Sequence, residues 1–243
     1  MKTCRVRRSR PSALALGLAL ALTMLVVYLA SAASGKAPER GARTLSASEV
    51  SSAEVRFEGM EADFLAECVC ENELDARVAA AKCVQGGGAG LILSDESGYA
   101  VIHEVKSGAK GAIRRGAAGL TMRVRGRAAD GSAIAGAAVF LRDQAAQTGA
   151  LADAMESGGT DADAVRTLMQ VYRTQGKHIA DALDDIEDES EVTRALKSAV
   201  NCALERLDSA IRDTTPAKIR LIHAAGCAEW IQLLNTLSEL SGN

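Results

Sequence analysis

The pattern of apolar and polar positions changes several times along the chain. An uncharged apolar run covers residues 13–33, and a polar segment rich in small residues follows at 34–52. From about residue 61 apolar side chains alternate with polar ones, as in β-strands, and beyond residue 130 they recur at spacings of three and four, as in amphipathic helices. The pattern therefore predicts an α+β protein, in which a small mixed module precedes a helical bundle.

The first 33 residues are typical of a membrane-targeting segment. Residues 1–11 carry five basic side chains and no acidic one, and such charge stays on the cytoplasmic side of a bilayer. The uncharged run that follows is about the 20 residues needed to cross the hydrocarbon. We expect a single transmembrane anchor at 12–33, with a signal peptide cleaved near Ala30-Ser31-Ala32 as the alternative. In both cases the remainder is extracytoplasmic, joined to the cell membrane through a flexible linker at 34–52.

Residues 53–129 are predicted to form a β-α-β-β module with one further strand. Asn72 is a candidate N-cap for the single helix, which the glycines from Gly86 onward end. The segment 106–118 is rich in glycine and is predicted to be weakly helical at best. The predicted strands are 64–70, 89–93, 99–105 and 120–124, and the predicted helix is 73–85.

Residues 130–243 are predicted to form four helices. Short connections with capping residues separate them, so the simplest packing is an antiparallel four-helix bundle. The predicted helices are 134–155, 162–187, 191–212 and 217–240.

Composition and charge restrict the classes of partner. Apolar residues make up 48% of the chain but aromatic residues only 3%, which indicates a core of small aliphatic side chains. The net charge of −3 hides a basic segment at 106–127 and an acidic one at 181–191. The basic segment has no interleaved aromatic residues to stack bases, so we expect no nucleic acid partner. Anionic wall polymers and lipid headgroups are the partners that an exported basic segment meets, and a solvated surface without a partner is the equal alternative.

The sequence offers no catalytic constellation, and we expect no enzyme activity and no cofactor. None of the common nucleophile, paired-carboxylate or metalloprotease patterns is present. The glycines at 86–90 lead from a helix into a strand, which is the reverse of a phosphate-binding loop. The acidic segment 181–191 lacks the turn glycine of a calcium loop. We interpret it as a solvated corner.

The cysteines allow two further interpretations. Cys68, Cys70 and Cys83 with His103 could supply soft metal ligands, but no second ligand pair follows. We therefore interpret the three cysteines as packed small residues and predict no metal site. Cys202 and Cys227 lie almost equally far from the predicted turn near Thr214. They are either a disulfide or two packed core cysteines.

Residues 64–105 resemble the first half of a SPOR domain, the sporulation-related repeat that binds peptidoglycan. The matching segments are 75–79, 88–93 and 98–102. The resemblance implies a β-α-β-β-α-β module that binds glycan strands noncatalytically across its sheet face, at a division or sporulation septum. It places Phe64, Tyr99, Val101 and His103 in the glycan contact.

Two functions are consistent with this sequence. The first is a noncatalytic, membrane-anchored envelope protein that binds peptidoglycan through the SPOR-like sheet. The alternative is a membrane-anchored scaffold whose helical bundle binds another envelope protein and whose α+β module binds no glycan.

Overall fold

The computed structural model describes residues 51–241, except Ser97 and Asp188. The predicted leader, the predicted anchor and most of the predicted linker lie outside the described residues. Within those residues, no helix has the length and apolar character that spanning a bilayer requires.

Six strands are present in the described part of the chain. The predicted strands at 64–70, 89–93, 99–105 and 120–124 are confirmed, whereas the first and fifth observed strands were not predicted. The strands are β1 (Ser51–Phe57), β2 (Met60–Cys70), β3 (Leu91–Asp95), β4 (Gly98–Val105), β5 (Ile113–Ala117) and β6 (Leu120–Gly126).

Four of these strands form an antiparallel sheet in the order β3-β4-β2-β5, and β1 pairs with β6 in a separate antiparallel ribbon. The ladder between β2 and β4 is irregular, because Glu67 of β2 and His103 of β4 have no partner in register. Extra residues of this kind kink a strand and turn a side chain out of the regular alternation. The two irregularities lie next to each other on neighbouring strands.

Helix α1 (Glu73–Gln85) has the predicted bounds, and the side chain of Asn72 caps it by accepting from the backbone N–H of Asp75 at 2.9 Å. It covers one face of the four-stranded sheet with small residues, since Ala76, Ala80 and Cys83 are buried against Val101. The larger side chains of this helix are on its solvent side: Leu74 is 72% exposed and Val78 is 51% exposed.

The C-terminal region is helical, as predicted. Each helix packs against the next along the chain, and the last also packs closely against the first of the four. Asp161 and Ser190 cap the second and third of them at their N-termini. The helices are α2 (Ala128–Glu156), α3 (Ala162–Asp184), α4 (Glu191–Arg212) and α5 (Pro216–Ser241).

Helix α5 lies between the sheet and the other helices, and its buried residues therefore surround it on all sides. On one side Ala224, Cys227 and Ile231 pack against Phe64 and Ile102 of the sheet. On another side Trp230 and Leu234 join the core of the helical region. The face of the sheet opposite α1 is covered by this helix.

The predicted boundary between residues 129 and 130 does not separate two cores. Val55 and Phe57 of β1 are buried in the same hydrophobic cluster as the helices α2 to α5. Trp230 of α5 also donates from its indole nitrogen to the backbone oxygen of Glu58 at 3.1 Å. The strands and the helices share their interior.

Candidate functional site

The four residues predicted to contact glycan do not share an exposed surface. Phe64 and Val101 have no exposed area, and Tyr99 and His103 are half-buried. Phe64 faces α5, whereas Tyr99 and Val101 face α1. As folded, neither Phe64 nor Val101 can touch a ligand in solvent.

A charged cleft lies where the sheet meets the helices. It has a volume of about 580 Å³, and His103 is the one residue of the predicted glycan set that lines it. The glycines that end α1 form part of its wall. The lining residues are Gly86, Gly87, His103, Glu104, Val105, Lys106, Asp153, Glu156 and Arg220.

Arg220 of α5 organises this cleft, because its guanidinium binds carboxylates from two other elements. It donates to Glu104 of β4 at 2.8 Å and to Glu156 of α2 at 2.5 and 2.8 Å, and Asp153 lies 3.4 Å away. The hydrogen bond from Arg220 lowers the pKa of the Glu156 carboxyl, and the same bond raises the pKa of Arg220. The lowered pKa favours the ionised form of Glu156. The three acidic side chains of the cleft outnumber its two cationic ones, Lys106 and Arg220.

Next to the cleft, three potential metal ligands converge from three elements. They are Glu67 of β2, Cys83 of α1 and His103 of β4, and their ligand atoms all lie within 4.8 Å of one another. His103 Nδ1 is 3.1 Å from Glu67 Oε2 and 3.8 Å from Cys83 Sγ. Burial raises the pKa of the Cys83 thiol.

The sequence prediction considered Cys83 and His103 together with Cys68 and Cys70, and the structure brings only the first two together with Glu67. Cys68 and Cys70 lie side by side, with their sulfur atoms 3.9 Å apart, in the layer between the sheet and α1. This agrees with their interpretation as packed small residues. Because Ala66 faces α5, ordinary strand alternation places Glu67 on the side of Cys83, and the irregular pairing that follows turns Cys68 and Cys70 to that side as well.

The two C-terminal cysteines are both free, so the disulfide alternative is not what the structure shows. Cys202 is exposed on α4, whereas Cys227 is buried in α5 beside the backbone oxygen of Ala145. Equal distance from the turn aligns two positions along the helices, but it does not turn both side chains toward the interface. Burial raises the pKa of the Cys227 thiol to about 12.

The predicted basic and acidic segments are largely paired by the fold. Arg114 lies 3.2 Å from Glu61 and 3.3 Å from Asp63 on the neighbouring strand. Arg127 binds Asp130 at 3.1 Å and lies 3.7 Å from Glu187 of the acidic segment. The basic segment is therefore not a uniformly positive surface.

Comparisons with known proteins give no relative for this chain: no family model, curated protein or solved structure matches it.

Proposed function

We propose that this chain is a noncatalytic, membrane-anchored envelope protein that acts as a scaffold for another envelope protein. In this proposal residues 12–33 anchor it, residues 53–129 are a SPOR-like module, and α2 to α5 are an antiparallel bundle fused to that module. The sheet order β3-β4-β2-β5 with α1 on one face supports the SPOR-like topology without its second helix.

One observation favours the scaffold over glycan binding at the sheet. The SPOR resemblance implies that glycan lies across an open sheet face, and here both faces are covered. Ala224, Cys227 and Ile231 of α5 occupy one of them, and α1 occupies the other. A glycan strand would have to displace α5 from the centre of the protein.

The exposed side of α1 is the surface we assign to the partner. Leu74 and Val78 are one helical turn apart and more than half exposed, with Ala81 exposed on the same stripe. Large apolar side chains that adjoin one another on a surface are typical of protein contacts. We expect a photo-crosslinking residue at Leu74 to capture a protein of the envelope. The matched control is Val171, a single exposed apolar residue on α3, where we expect no capture.

Peptidoglycan binding is the second candidate function, and the charged cleft is the observation that favours it. The cleft holds cations and carboxylates together with His103, and stem peptides carry groups of both signs. Co-sedimentation of the full chain with intact and with peptide-stripped sacculi separates the two functions. The scaffold proposal expects the protein to stay in the supernatant with both. Sedimentation that Lys106→Glu abolishes and Lys110→Glu preserves would replace it with glycan binding in the cleft.

The anchor has its own test. A reporter that is active only outside the cytoplasm should work when it is fused after Asn243 and fail when it is fused before Ser12, because the basic leader stays inside. The opposite pattern would overturn the localisation.

A further inference from the structure

The cluster of Glu67, Cys83 and His103 combines a carboxylate, a thiol and an imidazole, which are the three ligand types of protein zinc sites. They come from β2, α1 and β4, and so from positions that are distant in sequence. His103 Nδ1 is at the centre, with Glu67 Oε2 on one side and Cys83 Sγ on the other. We propose that Glu67, Cys83 and His103 bind one Zn²⁺ ion.

The two ligand spacings that involve His103 are close to those of a tetrahedral zinc site, and the third, between Glu67 and Cys83, is no more than 4.8 Å. Bonds of about 2.3 Å to sulfur and about 2.0 to 2.1 Å to nitrogen and oxygen place sulfur and nitrogen about 3.6 Å apart, and nitrogen and oxygen about 3.4 Å apart. The corresponding distances here are 3.8 Å and 3.1 Å. The first needs to contract and the second to expand by only about 0.2 to 0.3 Å, which side-chain rotation supplies.

Strand alternation places Glu67 and His103 on the α1 side of the sheet, because their neighbours Ala66 and Ile102 face α5. In a regular ladder neighbouring residues alternate between the two faces, and Phe64 and Ala66 of β2 face α5. Glu67 and His103 are the two residues that the ladder between β2 and β4 leaves out of register. Irregularities of this kind are over-represented next to functional sites.

The loop after α1 leaves room for the cluster. Its backbone is fixed, because Gly88 donates to the oxygen of Cys83 at 2.9 Å and Ala89 donates to the oxygen of His103 at 2.6 Å. A Cβ atom at Gly88 would lie 2.6 Å from His103 Nδ1 and closer still to Cys83 Sγ. A side chain at this position would press on both ligands, so glycine keeps the space between them free.

The ligand set selects the metal. Thiolate and imidazole favour zinc over magnesium and calcium, which prefer oxygen ligands. Three protein ligands leave one tetrahedral position for water, and His103 also lines the charged cleft. Bound zinc would join β2, α1 and β4, so it should stabilise the sheet module. This inference does not depend on the scaffold function, because it concerns neither the α1 stripe nor a partner protein.

The test uses the full chain, purified in detergent, stripped with a chelator and titrated with Zn²⁺ and Co²⁺. We expect one Zn²⁺ per chain, a rise in melting temperature, and the sulfur-to-cobalt charge-transfer band of a tetrahedral Co²⁺ thiolate site. Loss of groups that only support a ligand typically weakens zinc binding about 10- to 100-fold, so Glu67→Gln and His103→Gln should weaken it by about 100-fold or more.

Matched variants separate this site from the other thiols. Cys83→Ser should remove the charge-transfer band, while Cys70→Ser, a thiol of the same layer outside the cluster, should retain it. Gly88→Ala should weaken binding although all three ligands remain. Glu67 is more than half exposed, so Glu67→Gln should keep the fold and gives a clear answer even if Cys83→Ser unfolds. Absence of the band in the natural chain, or Zn²⁺ affinity unchanged in both Glu67→Gln and His103→Gln, would overturn the proposal.

Discussion

The indole nitrogen of Trp230 donates a hydrogen bond to the backbone oxygen of Glu58 at 3.1 Å, and the Trp230 ring centroid is 6.4 Å from that of Phe57. This contact connects α5 to the junction between β1 and β2. The two residues that form it, Glu58 and Trp230, are 172 residues apart in sequence. It explains why the strands and the helices form one folding unit.

Substitution of Trp230 tests this connection. Trp230→Phe keeps most of the packing but removes the N–H donor, and it should cost about 1 kcal/mol. Trp230→Ala also leaves a cavity and should cost about 3 to 5 kcal/mol. Urea unfolding followed by circular dichroism measures both, and helix and strand signals should be lost in the same transition. Separate transitions for the two would contradict a shared core.

Two glycines in α2 should have opposite effects on stability when each is replaced by alanine. A Cβ atom at Gly149 would overlap the imidazole of His223, whereas one at Gly136 would meet no atom within 4 Å. Gly149→Ala should therefore destabilise the protein by about 1 to 3 kcal/mol. Gly136→Ala should stabilise it by up to about 1 kcal/mol, because alanine is the better helix former. Equal effects on the urea midpoint would mean that α2 and α5 pack differently.

His223 should make the stability depend on pH. Its burial lowers the pKa of the imidazole from 6.5 to about 4, with Asp153 opposing the shift and Arg220 adding to it. At pH values between about 4 and 6.5 the unfolded chain therefore binds more protons than the folded one. The stability that the neutral imidazole contributes is fully present above about pH 6.5 and is lost as the pH falls toward 4. A tenfold change in proton affinity is worth about 1.4 kcal/mol, so the loss can reach about 3 kcal/mol.

The measurement compares unfolding free energies at pH 7 and pH 5 for the natural chain and for His223→Gln, which does not titrate. The natural chain should lose more stability between the two pH values than the variant does. An identical loss in both would show that other groups cause the pH dependence.

Leu196 provides a test of the helical core. It has no exposed area and belongs to the main hydrophobic cluster. Leu196→Asp buries an unpaired charge, which costs several kcal/mol of the about 5 to 15 that hold a domain together. Ser198→Asp, on the exposed side of the same helix, should change the melting temperature little. A folded Leu196→Asp protein would mean that this face of α4 is not buried.

The helices could be predicted because their local signals agree with the packing. Asn72 marks the start of α1, and α4 has the bounds 191–212 that its periodicity predicts. The sequence does not single out β1, because only Val55 and Phe57 alternate there with Glu54 and Arg56, and pairing with the distant β6 completes the strand. β5 carries apolar residues only at its ends, and pairing with β2 rather than its own pattern makes it a strand.

Other features depend on contacts that no local pattern contains. Leu74 and Val78 recur at helical spacing and suggest the buried side of α1, yet the close approach of helix and sheet selects the small residues Ala76 and Ala80 instead. The cleft requires Arg220 to meet Glu104, which is 116 residues away in sequence. Covering of the sheet by α5 likewise cannot be deduced from either segment alone.

Helix α5 lies between the sheet and the other helices, and the reactivity of its cysteine reports on that position. Cys227 is 4% exposed and burial raises its thiol pKa to about 12, whereas Cys202 is exposed on α4. Alkylation of the native chain, followed over time by peptide mass spectrometry, should label Cys202 rapidly and Cys227 only after denaturation. Equal labelling of the two in the native protein, or a disulfide between them, would contradict the packing of α5 described above.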